Sequence, residues 1–193
     1  MRKVAVIASA SGCGKTTVGR ALAEHLDVPF VELDALNHGP GWTEATAEEL
    51  RARVAPLVTG EAWVIDGAYR GKLGDLVLDA ADTVVWLDLP RREWVPRLVR
   101  RTTRRVIRRE ELWGGNRETL RNAFLRRDGL FRFAWRNYEP RRATYPAELA
   151  RFHVVRLCSQ REVDAWLGSV TRAGLSAGEA ARPPEPRDPR SDP

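Results

Sequence analysis

One segment near the start of the chain restricts its fold more than any other: Ser9-Ala10-Ser11-Gly12-Cys13-Gly14-Lys15-Thr16-Thr17. It follows Val4-Ala5-Val6-Ile7-Ala8, a short run of β-branched and small residues that reads as a buried strand. It precedes Val18, Leu22 and Leu26, spaced four apart as on one face of a helix, up to Asp27-Val28-Pro29. A glycine-rich turn that ends in Lys-Thr between a strand and a helix is the P-loop pattern G-x-x-x-x-G-K-[ST]. Glycines let such a loop turn inward so that backbone N–H groups point at a phosphate, and the helix N-terminus adds its positive end. Ser11, Gly12, Cys13, Gly14, Lys15, Thr16 and Thr17 are therefore expected to hold ATP, with Lys15 on the β- and γ-phosphates and the Thr16 hydroxyl on Mg²⁺. Ser9 stands where the pattern has its first glycine, and a small residue there still fits the turn.

Further strands are read at Pro29–Leu33, Ala62–Ile65, Thr83–Leu87 and Phe152–Leu157. Between them lie helical stretches, one opened by Thr43 or by Thr46, the latter with Glu49 three residues on as a capping box. Another is capped by Ser159 with Glu162. Strands alternating with helices imply an α/β fold with a parallel sheet covered on both faces and a ligand site at the carboxyl ends of the strands. Asp88 closes the apolar strand Val84-Val85-Trp86-Leu87, which after a P-loop is the Walker B arrangement and makes Asp88 the expected Mg²⁺ partner of Thr16.

Length and composition narrow the class. A chain of 193 residues suits one α/β domain. No apolar run approaches the ~20 residues that span a bilayer, and Met1-Arg2-Lys3-Val4 enters a strand without a signal-peptide core. Cys13 and Cys158 form neither a disulfide framework nor a zinc spacing, so a cytoplasmic protein without membrane contact is expected. The net charge of +6 does not by itself indicate nucleic acid, because a nucleoside triphosphate is a polyanion too. Only Lys3, Lys15 and Lys72 are lysines among 32 basic residues. From Arg91 to Arg142, 17 arginines face six acids, yet no helix-turn-helix, zinc finger or RNP motif accompanies them, so nucleic acid is not the expected partner.

With the P-loop in place, Ile65-Asp66-Gly67-Ala68-Tyr69-Arg70 is similar to the D-G-F-P-R segment of adenylate kinases, and Leu33-Asp34-Ala35-Leu36 stands where related small-molecule kinases carry an acceptor-facing aspartate. The chain resembles the adenylate kinase and shikimate kinase group of small P-loop kinases. Within that group it looks closest to the bacterial adenylate-kinase-like proteins often labelled topology-modulation proteins. The resemblance covers about residues 1 to 170 and implies a three-layer fold whose five-stranded parallel sheet is ordered 2-3-1-4-5. It implies that Arg70 grips an acceptor's phosphate and that Asp34 positions the acceptor or takes its proton.

Leu87 to Arg101 resembles the stretch that leads into the adenylate kinase lid. Helical spacing puts Val95, Val99, Thr102 and Val106 on one face and Arg97, Arg101, Arg104 and Arg108 on the other, with Pro96 tolerable only in a first turn. A short Arg-rich lid over about 104–117 is expected, with these arginines neutralising charge on the transferring phosphoryl group and Gly114-Gly115 giving hinge freedom. Leu120, Phe124, Phe131, Trp135 and Tyr138 read as a core stripe, and Trp42 as either an acceptor wall or core. Residues 171–193, poor in apolar side chains, read as a disordered tail. The expected activity is ATP- and Mg²⁺-dependent phosphoryl transfer to a small acceptor, foremost a nucleoside monophosphate. A non-nucleotide hydroxyl is the next acceptor. An ATP-binding regulator that associates with nucleic acid, or an ATPase whose acceptor site has decayed, are the other readings.

Overall fold

A computed structural model of the chain describes residues 1–119 and 129–180, with side chains described as far as 171. Five parallel strands form one sheet: β1 (Lys3–Ala8), β2 (Phe30–Glu32), β3 (Trp63–Asp66), β4 (Thr83–Leu87) and β5 (Val154–Leu157). Their order is β2-β3-β1-β4-β5, as expected, with β1 central between β3 and β4. The helices are α1 (Lys15–Leu26), α2 (Leu33–Asn37), α3 (Ala47–Val58), α4 (Arg70–Leu73), α5 (Leu76–Ala80), α6 (Arg91–Arg108), α7 (Leu130–Glu148) and α8 (Gln160–Ala180). Two single 3₁₀ turns, Pro40–Trp42 and Trp113–Gly115, complete the described elements.

Alternation along the strands divides the core in two. Val4, Val6 and Ala8 of β1 face a layer with Val18 and Leu22 of α1, Trp94 and Leu98 of α6, Tyr138 of α7 and Val163 of α8. Ala5 and Ile7 face the opposite layer, with Leu50 and Val54 of α3 and Val77 and Leu78 of α5. Helices thus cover both faces of the sheet. The Thr46–Glu49 capping box starts α3, with both reciprocal bonds present.

Helix α6 differs from the spacing-based reading. Its buried residues are Trp94, Leu98 and Thr102, while Val99 is exposed. The large indole and leucine take the core side, which turns the helix by about one residue from the valine stripe. Pro96 lies in the second turn, not the first, where its missing N–H removes one i→i−4 hydrogen bond of the helix. In α7, Tyr138 is buried and Phe131 packs against the core, but Trp135 is half exposed. Leu120 and Phe124 of that expected stripe lie outside the described residues. Helix α8 runs on to Ala180, ten residues past the expected end of the domain.

Candidate active site

The carboxyl ends of β1, β2 and β3 converge on the phosphate loop. Gly12 and Gly14 both have φ of +90°, where only glycine is at ease. Gly12 has a second constraint: a Cβ there would meet the Trp94 carbonyl at 2.8 Å and Leu98 Cβ at 2.9 Å, so the loop lies directly on α6. Cys13 points into the core, and burial pushes its thiol up, which leaves it a poor target for oxidation. Thr17 is exposed, whereas Ser11, Lys15 and Thr16 line a cavity of about 960 Å³.

Two carboxylates at strand ends have different surroundings. Asp88, beyond β4, is buried and accepts the Ser9 hydroxyl at 2.7 Å. Arg156 donates to it at 2.5 Å and Arg142 pairs with it at 2.9 Å. Ser9 in turn accepts the Trp86 indole N–H at 2.9 Å, which explains why a serine rather than a glycine stands here. The carboxylate that meets the loop is Asp66, at the end of β3. It accepts the Thr16 hydroxyl at 2.5 Å and lies 3.5 Å from Lys15 Nζ. Asp88 was the expected ion partner from its place after an apolar strand, and Asp66, though in a segment similar to adenylate kinases, carried no expected role.

The donor set suits a Mg²⁺–nucleotide. Thr16 and Asp66 offer hard oxygen ligands beside the loop, and Glu32 lines the same cavity. Among the described residues no cluster of three His, Cys, Asp or Glu forms a self-sufficient metal cage. Burial, with Asp66 and Asp34 nearby, raises the Glu32 carboxyl above the usual range.

Beyond the loop lies a second end of the cavity. Asp34, on α2, accepts the Tyr69 hydroxyl at 2.6 Å, and burial with the Asp34 charge pushes the Tyr69 phenol up. Tyr69 and Trp42 both line this end with φ of +46° and +60°. Non-glycine residues hold that conformation only where the surroundings impose it. Arg70 faces the cavity, but its Nε donates to Asp75 at 2.6 Å and its fork also meets Glu148.

The arm arginines divide. Arg101 lines the cavity, and its burial lowers the guanidinium pKa from its ordinary value. Arg105, which the spacing did not single out, lines it too and donates to Glu118 at 3.0 Å. Arg97 is tied to Gln160 and Glu93, Arg104 pairs with Glu110 on the surface, and Arg108 is exposed. None of these three lines the cavity.

The arm's tip closes over the β2 side. Asn116 donates to the carbonyls of Gly39 and Trp113 at 2.8 and 2.6 Å, and accepts the Trp42 N–H at 2.9 Å. A Cβ on Gly114 would lie 2.7 Å from the Gly39 carbonyl carbon, so this glycine serves close approach. His38 packs between Trp42 and Trp113, with ring centroids 5.7 and 5.9 Å apart.

The shikimate kinase family profile matches residues 11–38, from the phosphate loop to the start of the β2 loop. No curated protein sequence matches the chain. Among solved structures, shikimate kinase from Acinetobacter baumannii in complex with shikimate is 19% identical with a TM-score of 0.54, covering 92% of this chain and 95% of that one. Shikimate kinase from Aquifex aeolicus is 16% identical with a TM-score of 0.50, covering 92% and 99%. That from Bacteroides thetaiotaomicron is 19% identical with a TM-score of 0.50, covering 93% and 99%. The chain has the fold of small P-loop kinases, and the matched loop with that fold supports a small-molecule kinase.

Proposed function

We propose that this chain transfers the γ-phosphoryl group of ATP to a hydroxyl of a small, non-nucleotide acceptor. The observation that carries the reading is one continuous cavity with Lys15 and Thr16, backed by Asp66, at one end and Asp34 with Tyr69 at the other. ATP with Mg²⁺ supplies the phosphoryl group and neutralises part of its charge. Lys15 and the loop N–H groups would hold the phosphates, and Thr16 with Asp66 would hold the ion. The acceptor oxygen attacks the γ-phosphorus, the bond to the ADP oxygen breaks, and the hydroxyl proton passes to Asp34. Tyr69 fixes the orientation of that carboxylate by donating its hydroxyl to Oδ1. Arg101 neutralises charge on the equatorial oxygens in flight. The nucleoside monophosphate reading leaned on Arg70 as a phosphate grip, and the Asp75 and Glu148 pairings of that residue favour a non-nucleotide acceptor instead.

Substituting the loop lysine tests the assignment. Lys15→Ala should lower formation of phosphorylated product by about 10²-fold or more, as loss of a preorganised charge contact does. Its melting temperature should stay close to that of the parent. Near-parental turnover in Lys15→Ala would refute the phosphate-loop assignment. Asp34→Asn should depress kcat more than KM for the acceptor, and an unchanged kcat would remove Asp34 from the reaction.

A further inference from the structure

Helix α6 brings Arg101 and Arg105, one turn apart, to the cavity wall. Like charges at that spacing repel. Burial first, and the Arg105 charge second, hold the Arg101 guanidinium below its ordinary pKa. The carboxylate that counters this most is Glu118, ahead of Asp34 and Asp66. Glu118 stands on the limb that returns from the arm's tip, after the Glu111–Arg117 bridge, and lines the same cavity. Its side chain is largely buried, and its Oε1 accepts the Arg105 guanidinium at 3.0 Å.

Two complementary atoms remain. Glu118 Oε2 and Arg101 Nε are both buried without a hydrogen-bond partner. A buried polar atom left unpaired is destabilising, and more so on a charged group. A bond between the two removes both penalties. A bond from Nε also leaves the terminal nitrogens of the guanidinium for phosphoryl oxygens. We propose that Glu118 is a positioning residue for the phosphoryl transfer: its Oε2 takes the Nε–H of Arg101 when Mg–ATP fills the cavity, which aims the terminal nitrogens at the γ-phosphoryl group. The inference rests on the kinase reading above and deepens it, by naming what orients the arginine at the transfer point. A carboxylate shared between the two guanidinium groups also offsets their mutual repulsion. Asn116, which precedes Glu118 on the same limb, anchors the tip on the β2 loop, so the docked arm carries this carboxylate over the cavity.

The test is nucleotide binding by the full-length protein, measured by calorimetry with two probes. One is Mg–ADP. The other is Mg²⁺ with the imido analogue of ATP, whose γ-phosphoryl group resists transfer. Glu118→Gln should weaken binding of the analogue by about fivefold or more, as loss of a charge-assisted hydrogen bond does. Its binding of Mg–ADP should stay within about twofold of the parent, which also shows that the variant is folded. The same change made in Arg101→Ala separates aiming of that arginine from support of the arm. In that background Glu118→Gln should alter binding of the analogue by less than about twofold. No weakening in Glu118→Gln, equal weakening of both nucleotides, or the same weakening of the analogue in both backgrounds overturns the inference and leaves the kinase reading standing. Failure of the parent to bind either nucleotide overturns both.

Discussion

Ser9 shows how a departure from a motif can be a clue. Its hydroxyl donates to Asp88 and accepts from Trp86, all within the buried floor of the phosphate loop. Ser9→Ala leaves a buried indole N–H without its acceptor and the carboxylate short of a donor. Unfolding in urea should show a loss of about 1–3 kcal/mol, the cost of orphaned buried polar groups. A loss below about 0.5 kcal/mol would mean that water replaces the hydroxyl. The loop itself was readable from sequence because its residues are contiguous. The choice between Asp66 and Asp88 was not, because both follow apolar strands and only their neighbours across the sheet differ. Arg70 was legible as a cavity residue but not as a neutralised one, since Glu148 lies 78 positions away.

At the scale of elements, alternation of strands and helices gave the layers and the sheet, and the capping box marked the start of α3 to the residue. Helix α6 was legible as a helix, but its buried face was decided by Trp94 and Leu98, whose bulk fits against the phosphate loop and α7. The short α4 and α5 left no periodic signal, since four and five residues are too few to show one. The arm's tip separates two adjacent glycines. In Gly114→Ala the new methyl would press on the Gly39–Pro40 backbone and push the tip off the β2 loop. Acceptor kcat/KM should fall by about tenfold or more, since small misplacements of positioning elements cost that much. Gly115→Ala meets only the end of the Glu111 side chain, 3.7 Å away. It should cost about 1 kcal/mol of backbone strain at positive φ and leave kcat/KM within twofold. Equal effects from the two variants would remove the close approach as the cause.

Across the whole molecule, much of the arginine charge is balanced internally. Arg91 pairs with Glu139, Arg97 with Glu93, Arg104 with Glu110, Arg117 with Glu111 and Arg142 with Asp88. Part of the basic segment is thus engaged in ion pairs within the fold. None of the described helices is long and apolar enough to cross a membrane. Another group of pairs joins α4, α5 and the end of α7: Asp75 is held by Arg70 and Arg151, and the Arg70 hydrogen bond keeps its carboxyl below the usual range. A depressed carboxyl adds stability that is complete above its unfolded value, about pH 4, and is lost as pH falls through the lower folded value. Asp75→Asn should thus cost about 1 kcal/mol at pH 7. The gap from the parent should close as the pH falls below about 4 in thermal melts. A gap that widened on acidification would contradict the pairing.

The bonds made by Asn116 fix more than a shape. Its side chain ties the arm's tip to the β2 loop through the Gly39 carbonyl and the Trp42 N–H, at about 1 kcal/mol for each bond. Trp42 and Trp113 flank that tie and also line the cavity. Parting the tip from the β2 side therefore requires breaking the hydrogen bonds of a single asparagine.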